Sequence, residues 1–205
     1  MRVRALTAVS TLTALTFLGM VPAAQAADSP VPAVNGVTRV EKLGPEGLRE
    51  MAAAQADANA QGVTDGTAAG GRRVCFQAHA RSAGWTSTIC TDQSGFTGSQ
   101  GQVDPIDAVR FSVGATGGMD FNVQLHWAND GTGAEGHIAP GGAVEIWNAN
   151  GNVLEAIHLW SSNESMMAAA HVKNVGWKGT GLYSYNQWIG SIGEGRWMEA
   201  FWIHI

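Results

Sequence analysis

Charge is what this chain has least of. Only 14% of its 205 residues are Asp, Glu, Lys or Arg, against about a quarter in ordinary globular proteins. Twelve cations face 17 acids, so there is no basic patch to neutralise a run of phosphates, and nucleic acid is excluded as a partner on that ground. The same balance disfavours an anionic membrane surface. Cysteine occurs twice, without the CxxC spacing of a zinc or dithiol site. There is no GxSxG, no HExxH and no glycine-rich phosphate loop followed by lysine, so the nucleophilic, metalloprotease and nucleotide mechanisms those motifs serve have no footing. Beyond Met20 no apolar run is long enough to span a bilayer.

Against these shortages stand 27 glycines and eight tryptophans. Many turn formers, large aromatics and little helix-surface charge read as a packed, turn-rich, all-β protein. The chain opens with Met1-Arg2-Val3-Arg4, an uncharged run from Ala5 to Met20, and Val21-Pro22-Ala23-Ala24-Gln25-Ala26. This is the basic, apolar and small-residue order of a signal peptide. Residues 1–26 are therefore expected to be cleaved after Ala26, leaving a secreted protein with no membrane insertion. Export places Cys75 and Cys90 in an oxidising compartment, where a disulfide is the expectation. Closing that loop contributes about 3 kcal/mol through the unfolded state.

Residues 27–71 contain no aromatic residue and are rich in Ala, Gly, Asp and Gln. They read as a mobile spacer. Pro45 to Ala56 suits a short helix with proline in its first turn, though its alanine face would bury little. Gly62 to Gly71 reads as flexible linker.

The rest of the chain, residues 72–205, repeats itself. Residues 76–113 align with 168–205 without a gap, and nine of 38 positions are identical. Ala78-His79 meets Ala170-His171, Gly84-Trp85 meets Gly176-Trp177, and Gly98-Ser99-x-Gly101 meets Gly190-Ser191-x-Gly193. Asp107-Ala108 then meets Glu199-Ala200. A degenerate copy between them keeps Leu125-His126 and Glu155-Ala156 but has Asn129-Asp130-Gly131-Thr132 where the others have Gly-Trp. Three units follow: 74–113, 121–160 and 166–205. None is large enough to bury a core alone, so one core must be shared. Alternation places Val109, Phe111 and Val113, with their counterparts Ile157, Leu159 and Phe201, Ile203, Ile205, on a buried face. A single all-β domain of pseudo-threefold symmetry is predicted, a β-prism in preference to a β-trefoil.

The pattern of Ala-His, Gly-Trp, Gly-Ser-x-Gly and a closing acid-Ala strand resembles the clostridial hydrophobic repeat named for its tryptophan, found in secreted proteins of clostridia and actinobacteria. The resemblance is good over 74–113 and 166–205 and weak over 121–160. It implies extracellular binding, to polysaccharide or to other proteins, with no catalytic residues.

Residue by residue, structure explains more than chemistry does. Trp85 and Trp177 hold one repeat position and read first as wedges in the core, second as sugar-stacking platforms. Phe96 and Trp188 mark a second position that takes a large aromatic ring, again expected in the core. Asp107, Glu155 and Glu199 fall on the face assigned to the core and read as structural hydrogen-bond acceptors. A glycosidase carboxylate pair is the minor alternative. His79, His126 and His171 recur once per unit on the polar strand face. Near a threefold axis they could bind zinc, but local hydrogen bonds are the simpler reading, and no metal or cofactor is expected. Trp160 and Trp202 differ, because alternation puts them opposite the apolar row beside His158 and His204. These four are the candidate ligand contacts. The function expected is a secreted non-catalytic binding module for cell-wall or other polysaccharide, with an extracellular protein partner as the alternative.

Overall fold

Period-two alternation in the sequence becomes strand pairing along most of the chain. The computed structural model describes residues 38–64, 73–91, 93–115, 119–179 and 181–205. The expected signal peptide, the first part of the spacer and the linker from Asp65 lie outside the described residues. In order, the elements are β1 (Thr38–Lys42), α1 (Pro45–Thr64), β2 (Val74–Ala80), β3 (Gly84–Trp85), β4 (Ile89–Cys90), β5 (Thr97–Gly98) and β6 (Ile106–Val113). They continue with β7 (Phe121–Trp127), β8 (Gly131–Ile138), β9 (Ala143–Asn148), β10 (Leu154–Ser161), β11 (Met167–Val172), β12 (Gly176–Gly179), β13 (Asn186–Gly190) and β14 (Met198–His204). Among the described residues the fold is all-β apart from one helix.

Three antiparallel sheets form. Sheet I runs β1-β9-β6-β2-β3, with β4 also on β2; sheet II runs β13-β10-β7-β8; sheet III runs β12-β11-β14-β5. Each is centred on a pair from one sequence unit: β2 with β6, β7 with β10, β11 with β14. Each then takes a strand from another unit. β9 of the second unit joins β6, β13 of the third joins β10, and β5 of the first joins β14. The exchange closes a ring.

The inner faces share one core. In β7, Phe121, Val123, Leu125 and Trp127 are fully buried while Asn122, Gln124 and His126 are not. At the centre the Phe76 and Phe201 rings stack at 5.3 Å, and Phe111 lies 5.5 Å from Phe121 and 6.0 Å from Phe201. These four rings come from all three sheets, so no sheet can leave without opening the others' core.

Two features depart from the sequence reading. Residues 38–64 are no loose spacer: β1 pairs with β9, and α1 docks on the outer face of sheet I. The helix is also longer than the twelve-residue segment expected. An alanine-rich face suffices because Met51, 1% exposed, sits over the Cys75–Cys90 disulfide together with Leu43 and Ala54. Gln55 adds a side-chain bond to the Arg73 carbonyl at 3.3 Å. The disulfide itself is present as expected, joining β2 to β4.

Phe111→Ala should destabilise the domain by about 3–5 kcal/mol. Because the core is common to the three sheets, urea unfolding should remain one transition by both tryptophan fluorescence and circular dichroism.

Candidate functional site

Each central strand pair carries the same irregularity. The registers shift at Asp107, at Glu155 and at Glu199, which have no partner opposite, while His79, His126 and His171 pair with the alanine that follows each acid. This is a β-bulge in all three sheets. A bulge turns two successive side chains to the same side, so the acids leave the apolar row and join the histidines on the outer face. The reading that put them on the core face is corrected on that ground: simple alternation cannot register an extra residue.

Each sheet sets a histidine beside its acid, with a hydrogen bond in sheets I and III and a longer approach in sheet II. His79 Nδ1 donates to Asp107 at 2.6 Å and His171 Nδ1 to Glu199 at 2.9 Å, while His126 Nε2 lies 3.6 Å from Glu155. The histidines sit on three different sheets, each facing its own acid, and do not converge on a zinc site. Among the described residues no three metal-binding side chains come together.

In sheets II and III a loop from another unit seals the pair. After β13, the Ser191 amide donates to the Glu155 carbonyl at 2.9 Å and the Gly193 amide to its carboxylate at 3.1 Å. After β5, Ser99 and Gly101 do the same to Glu199, at 2.7 and 3.2 Å. The repeated glycine is compulsory here. Gly98 and Gly190 have φ of 108° and 102°, and a Cβ on either would lie 2.3 Å from the carbonyl oxygen of Glu199 or Glu155. Both sealed acids are at most 3% exposed.

Sheet I lacks the seal. Trp147 stands opposite Ala108, where Gly98 and Gly190 stand opposite Ala200 and Ala156. The loop after β9 then folds on itself: Asn148 Oδ1 accepts the amides of Asn150 and Asn152 at 2.9 and 3.2 Å. Asp107 stays 21% exposed and takes Arg81 Nε at 3.4 Å in place of a loop amide. Arg81 in turn donates to the Gly151 carbonyl. The result is a cleft of about 250 Å³ lined by His79, Trp85, Asp107, Glu145, Trp147 and Asn148, with Ala108 between the tryptophans. A larger hollow of about 320 Å³ between α1 and sheet I is walled mainly by Leu48, Met51, alanines and glycines. Gln55 and Ser112 are the polar side chains in its lining, and among the described residues no aromatic ring or charged group faces it.

The tryptophans expected in the core are not there. Of the eight, only Trp127 is fully buried. Trp85 and Trp177 pair with His79 and His171 on the outer face, reached through turns at Gly84 and Gly176 with φ of 83° and 92°. Trp177 is 39% exposed and meets Phe96, itself 40% exposed, at 5.7 Å. Trp188 stacks on His158 at 4.6 Å. The outer row is polar, so a ring paired with it stands over histidine and cannot enter the core.

The four candidate contacts are half-buried on outer faces, but on two sheets. Trp160 and His158 belong to β10; Trp202 and His204 belong to β14. Both histidines already serve the protein, His158 with Asn186 at 2.7 Å and His204 with the Thr91 carbonyl at 3.0 Å. Sequence reasoning missed Trp147, Glu145 and Asn148. The signal was available: Asn148-Ala149-Asn150-Gly151-Asn152 occupies the place of the Gly-Ser-x-Gly loop.

Two carboxyls hold the loops that frame the cleft. Asp130 accepts the side-chain amides of Asn152 and Asn148 at 2.5 and 2.9 Å, which hold it below the usual aspartate range. Burial opposes the charge on Asp104, yet the Ser82 hydroxyl at 2.7 Å and the amides of Ser82 and Ala83 outweigh it and hold it low as well. A carboxyl depressed by folding stabilises above its unfolded value and loses that contribution as pH falls through the folded one. Urea midpoints of the wild type should therefore begin to drop as pH nears the ordinary aspartate value of about 4 and keep falling below it. The Asp104→Asn/Asp130→Asn double variant should start lower and fall less. Gly190→Ala should cost on the order of 3 kcal/mol in the same measurement. No family model, no curated protein and no solved structure matches the chain.

Proposed function

We propose that residues 72–205 form a three-unit β-prism and that the chain is a secreted, non-catalytic module binding cell-wall or other extracellular polysaccharide. The observation that carries this reading is the open cleft on sheet I. Two tryptophans flank His79 and the small Ala108, with carboxylate acceptors at Asp107 and Glu145. A pyranose offers apolar C–H faces to aromatic rings and hydroxyl donors to such acceptors. Asp107 is held by His79 and Arg81, and Glu145 by Arg110 at 2.9 Å. Carboxylate oxygens so oriented can accept hydroxyl hydrogens from a sugar. The cyclic strand exchange favours the prism, and the resemblance to secreted tryptophan repeats agrees with the extracellular setting.

A protein partner is the second reading. It draws on the turn between β12 and β13, where Leu182, Tyr183 and Tyr185 are 71%, 58% and 57% exposed. Exposed aromatics of this kind anchor protein interfaces.

Retention on insoluble polysaccharides and cell walls, run beside capture of proteins from culture supernatant, separates the two. Trp85→Ala and Trp147→Ala should each weaken retention by roughly tenfold or more, while Trp160→Ala and Trp202→Ala stay within about twofold. Full retention of the Trp85→Ala/Trp147→Ala double variant would return the site to Trp160 and Trp202. Capture of one soluble protein, with no polysaccharide retained, would move the function to the protein partner.

A further inference from the structure

One side chain joins the cleft to the helix outside it. Arg110 projects from β6 on the outer face of sheet I, and its side chain is only 12% exposed. Its Nε donates to Glu145 at 2.9 Å, and its Nη1 reaches Gln77 at 3.2 Å and Glu50 of α1 at 3.3 Å. The guanidinium carbon lies 3.7 Å from the centroid of the Trp85 ring. The backbone of α1 closes over the same group. Gly47 is buried, and a Cβ placed on it would lie 3.1 Å from the guanidinium carbon and 3.2 Å from Nε. A guanidinium is planar and can stack and donate in its plane at once, which an ammonium cannot. Arg110 thus occupies one face of Trp85 while α1 and Glu145 fix the guanidinium. The equivalent strand positions in sheets II and III carry His158 and Trp202, opposite Gln124 and Ala169, and no helix among the described residues covers them.

We propose that Arg110 is the positioning residue of the cleft, coupling the docking of α1 to the orientation of Trp85 and, through Trp85, to affinity for neutral polysaccharide. The affinity clause rests on the glycan reading; the coupling of helix to ring does not. Coupling is reciprocal. Loosening α1 frees Trp85, and removing Trp85 loosens α1.

The test uses the whole secreted chain. The Trp85 indole N–H resonance, assigned by its loss in Trp85→Ala, reports the ring, and amide hydrogen exchange reports α1. Arg110→Lys keeps the charge and loses the plane. Glu50→Gln, at a residue 46% exposed, leaves the core untouched and carries the test alone if the first variant folds poorly. Both should shift the indole resonance, speed exchange in α1 by roughly fivefold or more, and lower retention on insoluble cell-wall polysaccharide by roughly tenfold. Sheets II and III should keep wild-type exchange. Trp85→Ala should itself speed exchange in α1. An indole resonance and an α1 exchange rate that stay at wild-type values in both variants would overturn the coupling. Retention lost in Trp85→Ala but unchanged in Arg110→Lys and Glu50→Gln would overturn its link to affinity and uphold the glycan reading. Spectral coupling with no polysaccharide retained by the wild type would uphold the relay and overturn that reading.

Discussion

The fold turns on an amide pair arriving at a β-bulge. Glu199 receives the amides of Ser99 and Gly101, and Glu155 those of Ser191 and Gly193, each through its carbonyl and its carboxylate. These contacts fasten the exchanged strands, and the exchanged strands make three sheets into one body. Much else follows from them. The bulge must exist to turn the acid outward, where His171 bonds Glu199 and His126 faces Glu155, and glycine is required because any Cβ would strike the carbonyl being bonded. A buried carboxylate with two kinds of donor also meets the rule that buried charge be fully partnered.

Sheet I is where this arrangement was relaxed. Trp147 replaces the compulsory glycine, an asparagine-rich turn replaces the sealing loop, and Asp107 is shorter by one methylene than its counterparts. Each change would be a defect if the first sheet had to be sealed like the others. Together they leave a walled, aromatic, partly polar recess on this sheet. This departure from a local rule that the other two sheets obey is what supports the proposal of a binding site here. The N-terminal residues belong to the same departure, since β1 and α1 lie on this sheet and on neither of the others.

The strands, the shared core and the disulfide were legible in the sequence because each rests on a local or pairwise signal. Alternation marks the inner face of β7 residue by residue, and two cysteines in one chain offer a single intramolecular pairing. The site was only half legible. A bulge adds a single residue to one strand, and period-two counting carried past it assigned Asp107 to the wrong face. Trp85 and Trp177 misled because a recurring aromatic usually signals a core, whereas here it follows a left-handed glycine turn onto a polar row. The docking of α1 was hidden by composition: alanine and glycine bury little area, but they let a helix approach the disulfide and Arg110 closely. Trp147 escaped notice because its meaning lies in what it replaces, and that requires the register of two strands far apart in sequence.

Strand exchange in a ring also sets the order in which the molecule can form. Thr97 and Gly98 find their partners in Phe201 and Ala200, about a hundred residues later, and β6 waits for β9. During synthesis the first unit therefore emerges with an unpaired edge and half a core, and closure must wait for the last. Loop closure over such spans is entropically slow. Ring closure thus rests on partners far apart in sequence, whereas the Cys75–Cys90 bridge ties residues only fifteen apart.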